Sequence, residues 1–137
     1  MRTLIARALA MRPRLLLLDE PTAGLDLLAR EQVLATVQRL FEPGAVKEGP
    51  PPTVLLITHH VEELPPATSQ VLLLSQGRVA ASGTPGQVLR ADVLSPVYGC
   101  PLEVRRQGGR FYVEVHPAAW EDLLKNDRSG AGAGSEG

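Results

Sequence analysis

Four consecutive leucines, Leu15-Leu16-Leu17-Leu18, run directly into two carboxylates, Asp19 and Glu20. An unbroken apolar run of strand length, placed just after Arg12-Pro13, predicts a strand buried on both faces, the habit of a central parallel strand. Its carboxyl end then delivers Asp19 and Glu20 where open α/β sheets bind ligands. Two adjacent acids at the tip of an apolar strand are costly to desolvate without partners. A metal ion, a phosphate-bound cation or a water to be activated would supply the partner. A strand that simply ends in a polar turn is the plainer alternative, and the run alone does not separate the two.

The flanking sequence predicts alternating helices and strands. Arg2–Ala10 has helical composition, with Leu4, Ala8 and Met11 on one face, and Pro13 ends the helix near Arg12. After the leucine run, Asp26 is placed to cap a helix over about Leu27–Phe41. Leu27, Leu34, Val37 and Phe41 repeat at helical spacing along it. The Pro/Gly-rich stretch 42–52 reads as a surface loop. Gly44 and Gly49 there have phosphate-loop spacing, but Pro50 and Pro51 stand where Lys and Ser/Thr are required, and proline has no N–H for a phosphate. Thr53–Thr58 reads as a second buried strand, followed by a short helix from His59 to Leu64 that Pro65-Pro66 ends.

Val71–Leu74 and Arg78–Ala81 read as a hairpin around Gln76-Gly77. Short helices follow over about Pro85–Arg90, with Thr84 at the cap, and over Asp92–Tyr98. Leu102–Arg106 and Arg110–Val115 read as a second hairpin turned by Gly108-Gly109. A helix over Pro117–Lys125 carries Trp120, Leu123 and Leu124. The Gly/Ser/Ala-rich tail from Asn126 is expected to be disordered. Gly132, Gly134 and Gly137 match a dinucleotide fingerprint by spacing, but lack the strand before and the helix after that would give it meaning.

The run extends to Leu15-Leu16-Leu17-Leu18-Asp19-Glu20-Pro21-Thr22-Ala23-Gly24-Leu25-Asp26, which resembles the Walker B motif joined to the D-loop of the ATP-binding cassette (ABC) family. Leu55-Leu56-Ile57-Thr58-His59-His60 resembles the same family's switch-histidine loop. Arg2–Ala10 is similar to the helix that follows the family's signature loop. The resemblance runs from Arg2 to about Val115 and corresponds to the C-terminal half of a cassette. It implies an α/β fold: part of a P-loop NTPase (RecA-like) domain, with a mostly parallel sheet flanked by helices and a small C-terminal β-hairpin plus helix. The expected boundaries are residues 1–99 for the cassette half, 100–125 for the hairpin and helix, and 126–137 for the tail.

The resemblance also implies roles. Asp19 would hold Mg2+, through water, since magnesium keeps much of its hydration. Glu20 would polarise the attacking water, and His59 would contact the γ-phosphate or orient that water. Asp26 would reach across to a second nucleotide-binding domain, although an N-cap role accounts for it nearly as well and the two are compatible. ATP and Mg2+ are the implied cofactors. Transmembrane permease subunits are the implied partners, which puts the protein at the inner face of the cell membrane, on the cytoplasmic side. His60, Glu62 and Glu63 are expected to be solvated, and Arg105, Arg106 and Arg110 to form the solvated face of the second hairpin. A zinc site at His59, His60, Glu62 and Glu63 fails on spacing, because Leu64 stands where a second histidine is needed. The hairpin after Gly99-Cys100-Pro101 is similar to extensions in cassettes related to importers of metal chelates or oxyanions.

Composition narrows the alternatives. The 137 residues suffice for one small domain with a core, and 44% apolar with 21% charged residues marks the globular class. A formal net charge of −1 offers no general attraction to nucleic acid or anionic membrane. This weighs against a second branch of the superfamily, the DNA-repair and chromosome-maintenance ATPases, whose long heptad coiled coils also have no counterpart here. A non-catalytic partner half is the third possibility; the presence of both Glu20 and His59 argues mildly against it. Apolar runs reach strand length only, no basic-then-apolar leader opens the sequence, and the single Cys100 excludes an internal disulfide.

The sequence contains no G-x-x-x-x-G-K-[ST] loop, no glutamine loop and no signature loop. A truncated product, a misplaced start at Met1 or an excised piece would each account for that. Loss of the preceding strands would leave part of the sheet unpaired and apolar, favouring aggregation. Titration calorimetry on the 137-residue chain is therefore expected to show weak or no ATP binding, and no hydrolysis should follow; micromolar affinity would contradict this.

Overall fold

The two apolar runs pair as parallel strands, the arrangement that a strand with a helical crossover permits. The computed structural model describes residues 2–130. Its elements are α1 (Arg2–Ala10), β1 (Leu15–Asp19), α2 (Leu27–Arg39), β2 (Thr53–Ile57), a 3₁₀ turn (Val61–Glu63), β3 (Val71–Ser75) and β4 (Arg78–Gly83). There follow α3 (Pro85–Val88), α4 (Ala91–Tyr98), β5 (Glu103–Gln107), β6 (Arg110–Glu114), a second 3₁₀ turn (Pro117–Ala119) and α5 (Trp120–Gly130). The chain groups into two units. One holds the residues up to Thr68 together with Gln107–Arg110; the other holds Ser69–Arg106 and the chain from Phe111 on.

In the first unit β1 and β2 run parallel, with Leu15 beside Thr53 and Asp19 beside Ile57. Ile5 of α1, Leu16 and Leu18 of β1, and Val33 and Val37 of α2 form the buried cluster, joined by Val54 and Leu56 of β2. Burial on both faces was expected of the leucine run, and only one face is buried. Leu15 and Leu17 are 59% and 58% exposed, and Leu55 and Ile57 lie open beside them. The helices of this unit supply apolar contacts to the Leu16/Leu18 face, and among the described residues the other face stays open. β2, expected to be buried, is likewise only half-buried on one face.

The helix stripes also differ from those expected. On α1 the buried residue is Ile5, with Leu4 and Met11 exposed. On α2 the buried side chains are Val33, Leu34 and Val37. Leu27 and Phe41, at the two ends, are exposed. On α2 Leu34 and Val37 are thus buried as the spacing predicts, with Val33 added and the two ends left out. On α1 the buried position moves by one, from Leu4 to Ile5, while Ala8 packs on the core as expected, because an apolar residue satisfies the pattern whether or not a neighbour faces it.

In the second unit β3 and β4 form an antiparallel hairpin with an irregularity between Leu73 and Leu74. Gln76 and Gly77 both have positive φ, 50° and 72°, as a two-residue hairpin turn of right-handed twist requires. The Thr84 N–H donates to the Gln87 side chain at 3.0 Å, tying down the start of α3. α4 ends at Gly99 in the left-handed conformation, and Leu94 on it is fully buried. Arg106 lies over the Phe111 ring, 5.2 Å from its centroid.

Among the described residues there are three two-stranded sheets, and β1–β2 is the parallel one of the two pairs whose register is defined. The described residues carry mixed α and β content, and these small sheets do not by themselves make the mostly parallel sheet that was expected. α5 continues to Gly130, past the expected start of a disordered tail at Asn126. The rest of that tail, with Gly132, Gly134 and Gly137, lies outside the described residues. Cys100 is a free, partly buried thiol.

The asymmetry of β1 makes a direct prediction. Leu16→Ala should cost about 2–4 kcal/mol in urea denaturation of the chain, whereas Leu17→Ala on the open face should cost less than about 0.5 kcal/mol.

Candidate functional site

Parallel pairing brings the carboxyl ends of β1 and β2 to one edge. Asp19 and Ile57 face each other as the last partners, and the Glu20 N–H donates to the Ile57 carbonyl at 2.8 Å, one step beyond the strand. Glu20 itself has φ of 45°, a left-handed backbone that costs a residue with a Cβ about 1–2 kcal/mol. Such strain gathers at functional positions. From there two overlapping turns, Ala23 N–H to Glu20 carbonyl and Leu25 N–H to Thr22 carbonyl, both at 3.1 Å, lead the chain into α2.

The outcome of this geometry is a contact. His59, two residues past the end of β2, places its Nε2 against Glu20 Oε1. The imidazole is largely exposed and the carboxylate about half so. A polar contact so open adds little to stability, and it remains accessible to a ligand. Asp19 is exposed at the strand tip and makes no ion pair among the described residues. A single carboxylate oxygen donor of this kind suits a magnesium ion that keeps most of its water. No cluster of three or more candidate metal ligands exists among the described residues.

Asp26 is the N-cap of α2: its side chain accepts from the Ala29 N–H at 2.8 Å. It is exposed, so capping leaves its other oxygen open to solvent.

Two residues expected in solvent are not there. Glu63 is 5% exposed, and its carboxylate accepts from the Thr58 hydroxyl. The same hydroxyl oxygen accepts from the His60 N–H at 3.1 Å, and the Glu63 N–H donates to the His60 carbonyl at 3.0 Å. Thr58 and Glu63 therefore clasp the loop that carries His59 and His60. Burial of this carboxylate follows from its place in a 3₁₀ turn beside buried Val61, where the hydroxyl satisfies it. Arg110 is the second. It is only 20% exposed and pairs with Glu31 of α2 through both terminal nitrogens, at 2.7 and 3.2 Å. Its Nη2 also donates to the Glu62 carbonyl. Glu62 stays partly exposed, 3.7 Å from His60 Nδ1, while Arg105 and Arg106 are exposed as expected.

Sequence reasoning therefore missed Thr58, Glu63, Glu31 and Arg110. A threonine five residues before a glutamate across a tight turn is a usable signal for the first pair. The Arg110–Glu31 pair spans too much sequence to leave one.

No protein-family model matches the chain. It is 45% identical over 103 residues to the uncharacterised ABC transporter ATP-binding protein YlmA of Bacillus subtilis, which covers 75% of this chain and 37% of that protein. It is 39% identical over 103 residues to the hemin import ATP-binding protein HmuV of Rhodococcus jostii, covering 75% of this chain and 33% of that one. The chain thus spans little more than a third of the length of these curated relatives. Among solved structures, an inward-facing ABC transporter of metal-chelate type matches with a TM-score of 0.65 at 25% identity, over 83% of this chain and 45% of that one.

The Thr58–Glu63 clasp is open to a direct test. Thr58→Val should leave the buried carboxylate without its donor and cost about 1–3 kcal/mol in a urea melt, and Thr58→Ser should recover most of the loss.

Proposed function

Because this chain belongs with the ATP-binding proteins of ABC transporters, as a partial, C-terminal portion of one, we propose that its strand-end site serves an ATPase whose turnover drives membrane transport. The observation that carries this reading is the Glu20–His59 contact at the tips of two adjacent parallel strands. In that position Glu20 accepts a proton from a water aimed at the terminal phosphate, and a general base must lie within hydrogen-bond reach of that water. His59 holds Glu20 through one nitrogen and presents the imidazole edge to the phosphate or the water. Asp19 takes part in binding Mg2+, which neutralises charge on the phosphates when bound.

Asp26 tops α2 on the exposed turn and, in this proposal, reaches a second nucleotide-binding domain, so that ATP clamps two copies together. The partners are transmembrane permease subunits. Among the described residues no helix is long and apolar enough to cross a membrane, and we assign the protein to the cytoplasmic face of the membrane through those subunits. Relatives named for hemin import and a neighbour of metal-chelate type support a metal chelate as the transported class.

The chain spans little more than a third of the length of its curated relatives, so the test uses an intact cassette ending in this chain. There, Glu20→Gln should reduce ATP turnover by about 10²-fold or more while nucleotide affinity stays unchanged, as read by phosphate release and calorimetry. Normal turnover by that variant would remove Glu20 from the mechanism.

A further inference from the structure

Arg110 is the one arginine of the second hairpin that is drawn out of solvent, and its partners are informative. The turn before it, Gly108-Gly109, has φ of 60° and 76°. A Cβ on Gly109 would lie 3.1 Å from the Pro66 Cβ, closer than side chains normally approach, so this turn is shaped to press against the segment that follows the histidine loop. Arg110, next in sequence, then reaches two places at once. Its fork holds the Glu31 carboxylate in a bidentate pair, and the same Nη2 grips the Glu62 carbonyl. Glu31 lies in α2, the helix that Asp26 caps. Glu62 lies in the 3₁₀ turn directly after His59 and His60.

We propose that Arg110 is a positioning residue for the ATPase site: it locks the turn after His59 to the helix after Asp26, and so fixes the imidazole against Glu20. The inference rests on the function proposed above. Arginine suits the task because its planar fork binds a carboxylate through two nitrogens and still has an N–H for a carbonyl, which a lysine ammonium on a flexible stem does not reproduce. A pair that is four-fifths buried on the arginine side is also less screened than the surface pairs elsewhere in this chain, such as Arg12–Glu48. Thr58–Glu63 clasps the loop from within, and Arg110 holds it from outside.

The experiment compares Arg110→Ala, Arg110→Lys and Glu31→Gln in an intact cassette ending in this chain, with Glu20→Gln as the control. Misplacing a catalytic group costs rate rather than ground-state binding, so kcat should fall about tenfold or more in Arg110→Ala with KM for ATP within about twofold. Arg110→Lys should recover little of it, and Glu31→Gln should show a smaller loss in the same direction. In parallel, amide hydrogen exchange should quicken at residues 58–64 and stay unchanged at Leu16–Leu18. Unchanged kcat in Arg110→Ala, or exchange that rises uniformly across both segments, would overturn the proposal. Should Arg110→Ala fail to fold, Arg110→Lys and Glu31→Gln carry the same two readouts. If Glu20→Gln keeps full turnover, the proposed function fails by itself, and the exchange pattern still decides whether Arg110 holds the histidine segment.

Discussion

The site depends on one register. With Asp19 opposite Ile57 in a parallel pair, the chain leaves both strands at the same edge, and whatever follows each strand must meet there. A shift of one residue would turn Leu16 and Leu18 out of the core and carry Glu20 away from His59, because side-chain direction alternates along a strand. The buried cluster of Ile5, Leu16, Leu18, Val33 and Val37 therefore does two things. It holds the unit together, and it sets the position of a carboxylate and an imidazole that are themselves too exposed to contribute to stability.

Local backbone strain serves the same geometry. Glu20 gives up favourable dihedrals to bond the Ile57 carbonyl and to send the chain into the turns that precede α2. Asp26 then begins that helix. The strand, the kink and the cap form one continuous device in which each residue has a backbone job as well as the chemical one proposed for it.

Element order was legible in the sequence because it rests on local signals: the leucine run, Pro13, the Asp26 cap, and the Gln76-Gly77 and Gly108-Gly109 turns. The two residues proposed to act together were legible as a motif, and their contact follows from strand pairing. What was not legible depended on which faces find partners. Leu15 and Leu17 are as apolar as Leu16 and Leu18, yet only the latter meet α1 and α2. Glu63 looked like one more surface acid and is buried because a threonine hydroxyl happens to face it. Arg110 looked like its neighbours Arg105 and Arg106 and differs only because Glu31 and the Glu62 carbonyl are within reach.

The parallel pair has a consequence for how the chain assembles. β3 and β4 are joined by a two-residue turn and can zip as soon as they emerge. β1 and β2 are separated by residues 20–52, so no rung between them can form until that whole segment has closed, and its entropy is spent before the first hydrogen bond rewards it.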